Sequence, residues 1–188
     1  MASSQFDEAR RELLDGVRGR VLEIGFGTGL NIPHYPPSVQ KIIAIDKNPG
    51  MVVRASHAIQ ASPIQVHQLV SNGERLPIAD EHFDCVVSGW TLCSIGNVEQ
   101  ALREMHRVLK KDGRFFFVEH GRSPDERVQR WQDRLNPFQK LLADGCNLNR
   151  SIRQLIEDAG FTVTDLREFY MEKVPKIHGY MYQGIALK

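Results

Sequence analysis

The stretch Val21-Leu22-Glu23-Ile24-Gly25-Phe26-Gly27-Thr28-Gly29-Leu30 decides how this chain folds. An apolar run suited to one strand leads straight into glycines at alternate positions, Gly25, Gly27 and Gly29. Glycine accepts positive φ and puts no Cβ between backbone and ligand. About 20 residues on, Ile42-Ile43-Ala44-Ile45 reads as a second strand and ends at an acid, Asp46. A glycine loop after one strand and an acid after the next form a nucleoside pocket, with the carboxylate on ribose hydroxyls. Dinucleotide enzymes use G-x-G-x-x-G/A. That register starts at Gly25 and would put bulky Leu30 where close helix–strand packing demands a small residue. The motif here is G-x-G-x-G, which disfavours a nicotinamide cofactor.

Outward from this loop, strands and helices alternate. Apolar runs predict strands at 20–24, 41–45, 64–70, 84–88, 114–119, 163–169 and 180–187. Periodic segments predict helices at 5–16, 48–60, 97–110, 123–144 and 151–159. Asn48-Pro49 looks like a cap followed by proline at the first helical position. The 123–144 helix is expected to break at Asn136-Pro137, with Val128, Trp131 and Leu135 sharing one face. This order implies an α/β fold: a Rossmann-like, seven-stranded, mostly parallel sheet with helices on both faces. The segment from Tyr170 to Gly179, read without a helix, is shorter than the dozen or more residues of a parallel crossover. The last strand is therefore expected to run antiparallel. The whole of 1–188 reads as a single domain, with a helical lid or insertion at about 123–150.

Bulk composition excludes several classes. Hydrophobic content is 41%, charged content 25% and net charge +1, so no bulk nucleic-acid partner is expected. No apolar run has the length of a membrane span, and the first residues lack a signal-peptide core. Cys85, Cys93 and Cys146 are odd in number and form no CxxC or HExxH motif. They suggest neither a disulfide framework nor a metal site, and a reduced, cytoplasmic protein is expected. Nothing in the sequence calls for an obligate protein partner.

These motifs resemble those of the class I S-adenosylmethionine (SAM) methyltransferases over nearly the whole chain. The carriers are Glu23-Ile-Gly-Phe-Gly-Thr-Gly29, Asp46, Asn72-Gly-Glu-Arg-Leu-Pro-Ile78, Phe83-Asp84 and Arg103-Glu-Met-His-Arg-Val-Leu-Lys-Lys-Asp-Gly113. The resemblance implies SAM as cofactor and S-adenosylhomocysteine as product. It implies that Gly25, Phe26, Gly27, Thr28 and Gly29 approach the methionine part and the ribose. Glu23 would orient that loop or accept from the amino group. Asp46 would accept both ribose hydroxyls and Lys47 would flank the adenine. Asn72, Gly73 and Glu74 would hold the adenine, with a backbone N–H from Gly73. Ser88, Gly89 and Trp90 would lie under the sulfonium. Further pieces, Trp90-Thr-Leu-Cys-Ser-Ile95, Phe117-Val-Glu-His-Gly121 and Gly145-Cys-Asn-Leu-Asn-Arg150, are similar to small relatives of alkyl thiol and phospholipid or quinone methyltransferases.

In open α/β sheets ligands sit beyond the carboxyl ends of the strands. His120 there is the best base on offer, or else a hydrogen-bonded histidine at a strand end. His34, Tyr35, Cys93, Trp131, Arg150 and Tyr170 are the remaining substrate-side candidates. The basic, apolar 123–150 segment is a lid, a peripheral membrane face or a core-packed helix. The resulting expectation is methyl transfer from SAM to a small, apolar acceptor, with a thiol favoured. The alternatives are a phospholipid headgroup or quinone at a membrane surface, or a non-catalytic SAM-binding regulatory domain.

Overall fold

The computed structural model describes residues 4–188; the first three residues of the assigned 1–188 domain lie outside it. Seven strands form one sheet in the order β3-β2-β1-β4-β5-β7-β6. They are β1 (Gly19–Ile24), β2 (Val39–Asp46), β3 (Gln65–Val70), β4 (Phe83–Gly89), β5 (Leu109–His120), β6 (Thr162–Tyr170) and β7 (Tyr180–Leu187). The central pairs β1–β2, β1–β4, β2–β3 and β4–β5 are parallel, and β7 runs antiparallel to both β5 and β6. The fold class expected from the sequence, including the antiparallel last strand, is the one observed.

Successive strand residues face opposite sides, and here both sides are buried. Leu22, Ile24, Val86, Phe115 and Phe117 face one core cluster, while Val21, Cys85, Val87, Phe116 and Val118 face the other. The first cluster is roofed by α3 (Val98–Val108), whose Val98, Ala101, Leu102, Met105 and Val108 all lie on its buried stripe. The second lies beneath α1 (Ser4–Leu14) and α2 (Gly50–Gln60), with Leu13, Leu14 and Ala55 packed in. Each fully buried aliphatic or aromatic side chain contributes about 1.5–3 kcal/mol relative to exposure. This double core holds the carboxyl ends of β1, β2, β4 and β5 at one edge.

Two local expectations are corrected. The 123–144 region does not break: α4 (Glu126–Leu142) runs through Pro137. Its rotation is set by a polar residue. The buried Gln132 accepts from Ser123 N and donates to Gly121 O and Ile177 O at 3.0, 3.0 and 3.1 Å. These bonds turn Val128 and Gln132 inward and leave Trp131 outside. The 170–179 connection also contains a single helical turn, α6 (Lys176–Gly179), after α5 (Ile152–Asp158). Its carbonyl at Ile177 is one of the groups that Gln132 holds.

Candidate functional site

β1 delivers the glycine loop against the end of β2. Gly25 N and Phe26 N both donate to Ile45 O, at 2.8 and 3.1 Å. Gly27 N donates to Asp46 Oδ2 at 2.8 Å, and Asn48 N donates to Asp46 Oδ1 at 2.9 Å. Each carboxylate oxygen thus keeps acceptor capacity for a ligand hydroxyl. Gly25 and Gly27 have φ of +76° and +57°. A Cβ on Gly25 would lie 1.8 Å from Thr91 Oγ1, whereas a Cβ on Gly27 would meet nothing closer than 4.0 Å. Gly25 is therefore required by packing, and Gly27 opens toward the ligand side.

Two cavities flank this loop and share Gly25 and Trp90. The larger, of about 650 Å³, is lined by Asp46, Lys47, Asn72, Glu74, Thr91 and Ser94, with apolar walls from Ile24, Ile45 and Ile95. The smaller, of about 590 Å³, is lined by Arg10, Glu23, Gly27, Thr28, Asn31 and Gly89, with Phe26 beside them. Trp90 sits at the junction with φ of +52°. Its Nε1 is buried without a hydrogen-bond partner, and the Arg10 guanidinium lies 5.0 Å from its ring centroid.

Glu23, at the end of β1, is buried and accepts from Asn31 Nδ2 and Tyr35 OH at 2.8 and 2.7 Å. Burial raises its carboxyl to about 7, against the opposing pull of those bonds and of Arg10. Glu119, at the end of β5, is 0% exposed. Its Oε1 accepts from Ser88 Oγ and Thr91 N at 2.7 and 3.0 Å, while Oε2 has no partner. Burial pushes this carboxyl up as well.

The geometry gathers Glu23, Gly25, Phe26, Gly27, Thr28, Asp46, Lys47, Asn72, Glu74, Gly89 and Trp90 around the two cavities. Several other expected contacts are redirected. Ser88 is buried, spends its hydroxyl on Glu119 and does not line the cavities. A Cβ on Gly29 would crowd Ile32 and Ala58, at 3.2 and 3.3 Å, so its side-chain direction faces the protein. The Gly73 N–H, expected to meet adenine, donates to Ser71 Oγ at 3.3 Å. Lys47 pairs with Asp144 Oδ1 at 3.0 Å.

The substrate-side candidates are more dispersed. Tyr35 is buried and spends its hydroxyl on Glu23, and it lines neither cavity. His34 lies 4.0 Å from Asp7, away from the larger cavity's lining. The Arg150 guanidinium donates to Leu92 O and Ile95 O, fastening the loop after β4. Tyr170 OH lies 2.5 Å from Ser123 Oγ, against α4. Trp131 is 55% exposed. His120 is buried and, like Cys93, does not line the larger cavity; its Nε2 lies 3.4 Å from Cys146 Sγ. A hydrogen bond from the Cys93 thiol holds Cys146 well below the ordinary thiol range, with Cys93 correspondingly raised. Of the segment read as a lid, only Asp144 and Gly145 line the larger cavity.

Sequence reasoning missed Arg10, Asn31, Ser71, Asp144 and Gly145. Asn31 and Ser71 follow the first and third strands, where ligand loops are expected. Arg10 and Asp144 carry no local motif, and Gly145 entered only as the first residue of the piece Gly145–Arg150; tertiary packing brings all three to the cavities.

A family model described as a methyltransferase domain matches residues 22–117. The human thiol S-methyltransferase TMT1A is 35% identical over 195 residues, covering 95% of this chain and 80% of that protein. A UbiE ubiquinone/menaquinone biosynthesis C-methyltransferase from Geotalea uraniireducens is 33% identical over 106 residues, 54% of this chain and 45% of that protein. Among solved structures, YcgJ from Bacillus subtilis superposes with a TM-score of 0.74 at 20% identity, covering 96% of each chain. The [4+2]-cyclase SpnF superposes with a TM-score of 0.75 at 18% identity, covering 98% of this chain and 80% of that one. The fold and these matches define a class I SAM-dependent methyltransferase. The chain belongs to the methyltransferase-domain family represented by the model over 22–117.

The cavities fit that cofactor. The open face of Gly27 and the unpartnered Trp90 Nε1 suit close backbone approach and a ligand acceptor. The opposite charges of Arg10 and Glu23 suit an amino-acid end. Because Glu23 ionises only as pH rises through about 7, its carboxylate is scarce at pH about 6. S-adenosylhomocysteine affinity, measured by calorimetry, should rise up to about eightfold from pH about 6 to about 7.5, following the ionised fraction. Glu23→Gln should flatten this dependence; a rise of the same size in the variant would contradict the assignment.

Proposed function

We propose that this enzyme methylates the sulfur of small, apolar thiols, with the nucleoside in the larger cavity and the methionine end in the smaller. Asp46 would hold the ribose hydroxyls, Asn72 and Glu74 the adenine, and Glu23 with Arg10 the amino-acid charges. S-adenosylmethionine supplies an electrophilic methyl group on a sulfonium. The chain's own contribution is alignment and exclusion of water, and orientation alone is worth about 7–11 kcal/mol in favourable cases.

One observation carries the thiol reading: among the described residues no imidazole or phenol lines either cavity, and the carboxylates that do are already engaged, Glu23 by Asn31 and Tyr35. Of the larger cavity's acids, Asp46 is held by Gly27 and Asn48, Glu74 by the Asn97 N–H, and Asp144 by Lys47. A phenol or carbon acid needs a base here. A thiol needs less help, because even the small thiolate fraction present at neutral pH is a strong nucleophile. Similarity to the human thiol S-methyltransferase TMT1A supports the same acceptor. At pH about 7.5 a SAM turnover assay should show methylation of alkyl thiols and little of phenols of matched size. Preferred turnover of phenols would contradict this reading.

A second observation favours delivery of the acceptor from lipid. On α4, Phe138, Leu141 and Leu142 are 65%, 82% and 83% exposed, and the same helix carries Arg127, Arg130, Arg134 and Lys140. Apolar side chains beside cations suit shallow contact with anionic lipid. No helix among the described residues is long and apolar enough to cross a membrane. Co-sedimentation should therefore occur with vesicles containing anionic phospholipid, fall with salt, and be lost in Leu141→Asp/Leu142→Asp. Sedimentation unchanged by that double variant would refute the contact.

A further inference from the structure

The side chains of Cys93, His120 and Cys146 meet although their positions in the sequence are far apart. Cys93 lies in the loop after β4, His120 ends β5, and Cys146 follows α4. One potential ligand atom from each lies within 4.8 Å of the other two, and Cys146 Sγ is 3.4 Å from His120 Nε2. An ion bound tetrahedrally at about 2.3 Å from sulfur and about 2.0 Å from nitrogen separates its ligand atoms by about 3.5–3.8 Å. The trio is already close to that geometry.

The surroundings hold the ligands in place. Asn147 N and Asn147 Nδ2 both donate to Cys93 O, at 2.8 and 2.9 Å, locking the Cys146 turn onto the Cys93 loop. Arg150 fixes the same loop through Leu92 O and Ile95 O. Next to His120 in the chain, the buried Glu119 Oε2 has no hydrogen-bond partner among the described residues. Cys93 and His120 are buried and Cys146 is half-buried. The chain neighbours Ser94 and Gly145 line the larger cavity, so the trio abuts the candidate site.

We propose that Cys93, His120 and Cys146 form a three-ligand site for a soft divalent cation, of which Zn²⁺ is the natural occupant. Two thiolates and an imidazole select such an ion over Mg²⁺ or Ca²⁺, which prefer oxygen donors. Three protein ligands leave a fourth position for water or an exogenous ligand. Both sulfurs must coordinate as thiolates, so any proton they still carry is released to solvent on binding. Thiol recognition there would rest on the proposed acceptor class, but the metal site itself does not.

Metal-free, reduced full-length protein should bind one equivalent of Zn²⁺, measured by competition with a chromophoric chelator. Co²⁺ in its place should give the near-ultraviolet thiolate charge-transfer band and the intense visible bands of a tetrahedral site. Removing outer partners of metal ligands costs about 10–100-fold in affinity, so Cys93→Ser, Cys146→Ser and His120→Ala should each weaken Zn²⁺ binding by at least about tenfold. Cys85→Ala, which alters the one cysteine outside the trio, should leave it unchanged. S-adenosylhomocysteine binding on the same samples separates the questions and reports folding. Intact S-adenosylhomocysteine binding without stoichiometric Zn²⁺, or Zn²⁺ binding indifferent to both Cys93→Ser and Cys146→Ser, would overturn the site and leave the methyltransferase assignment standing.

Discussion

The hydrogen bond from Gly27 N to Asp46 Oδ2, 2.8 Å long, is the constraint on which the site depends. It joins the loop after β1 to the end of β2 and fixes the acid and the glycine backbone in one frame. The parallel pairing of β1 with β2, running to Ile24 beside Ile45, brings these two ends level. Two cores, one on each face of the sheet, keep them there. The other carboxylate oxygen takes Asn48 N, so Asp46 is oriented from both sides before any ligand arrives. A carboxylate held in this way keeps its unused lone pairs aimed consistently, which is the physical content of preorganisation.

Much of this was legible in the sequence because it is local or periodic. The strand–glycine–strand–acid order requires only neighbouring residues, and the stripe on α3 follows from helical spacing. The short final connection announced the antiparallel β7. What stayed hidden depends on tertiary contacts. The rotation of α4 follows from the backbone bonds of Gln132, a polar residue that a hydropathy pattern would place outside. Val128 is therefore buried while Trp131, expected on the same face, is exposed. Tyr35 and Arg150 looked like ligand residues by type, yet each is used to hold another part of the site. The Cys93–His120–Cys146 trio has no motif spacing because the ligands come from three distant elements.

The same architecture is shared by proteins of different chemistry, as the superposition with a [4+2]-cyclase shows. The sheet and glycine loop define a nucleoside-cofactor frame, while acceptor chemistry is left to the loops around it. Here those loops are tied by Arg150, Asn147 and the Lys47–Asp144 pair and, among the described residues, present no unengaged base to the larger cavity. An exposed ion pair of this kind adds only about 0–1 kcal/mol, so its importance lies in shape and not in stability. A site of this kind contributes position, and the proposed thiol is an acceptor that can react without a strong base.

The central claim is that the Asp46-anchored glycine loop is the SAM site. Calorimetry of S-adenosylhomocysteine binding to the wild-type protein and to Asp46→Ala tests it most directly. Loss of charge-assisted hydrogen bonds to the ribose should weaken binding by about 2–3 kcal/mol while the protein stays folded by circular dichroism. An unchanged dissociation constant in the folded variant would contradict the account.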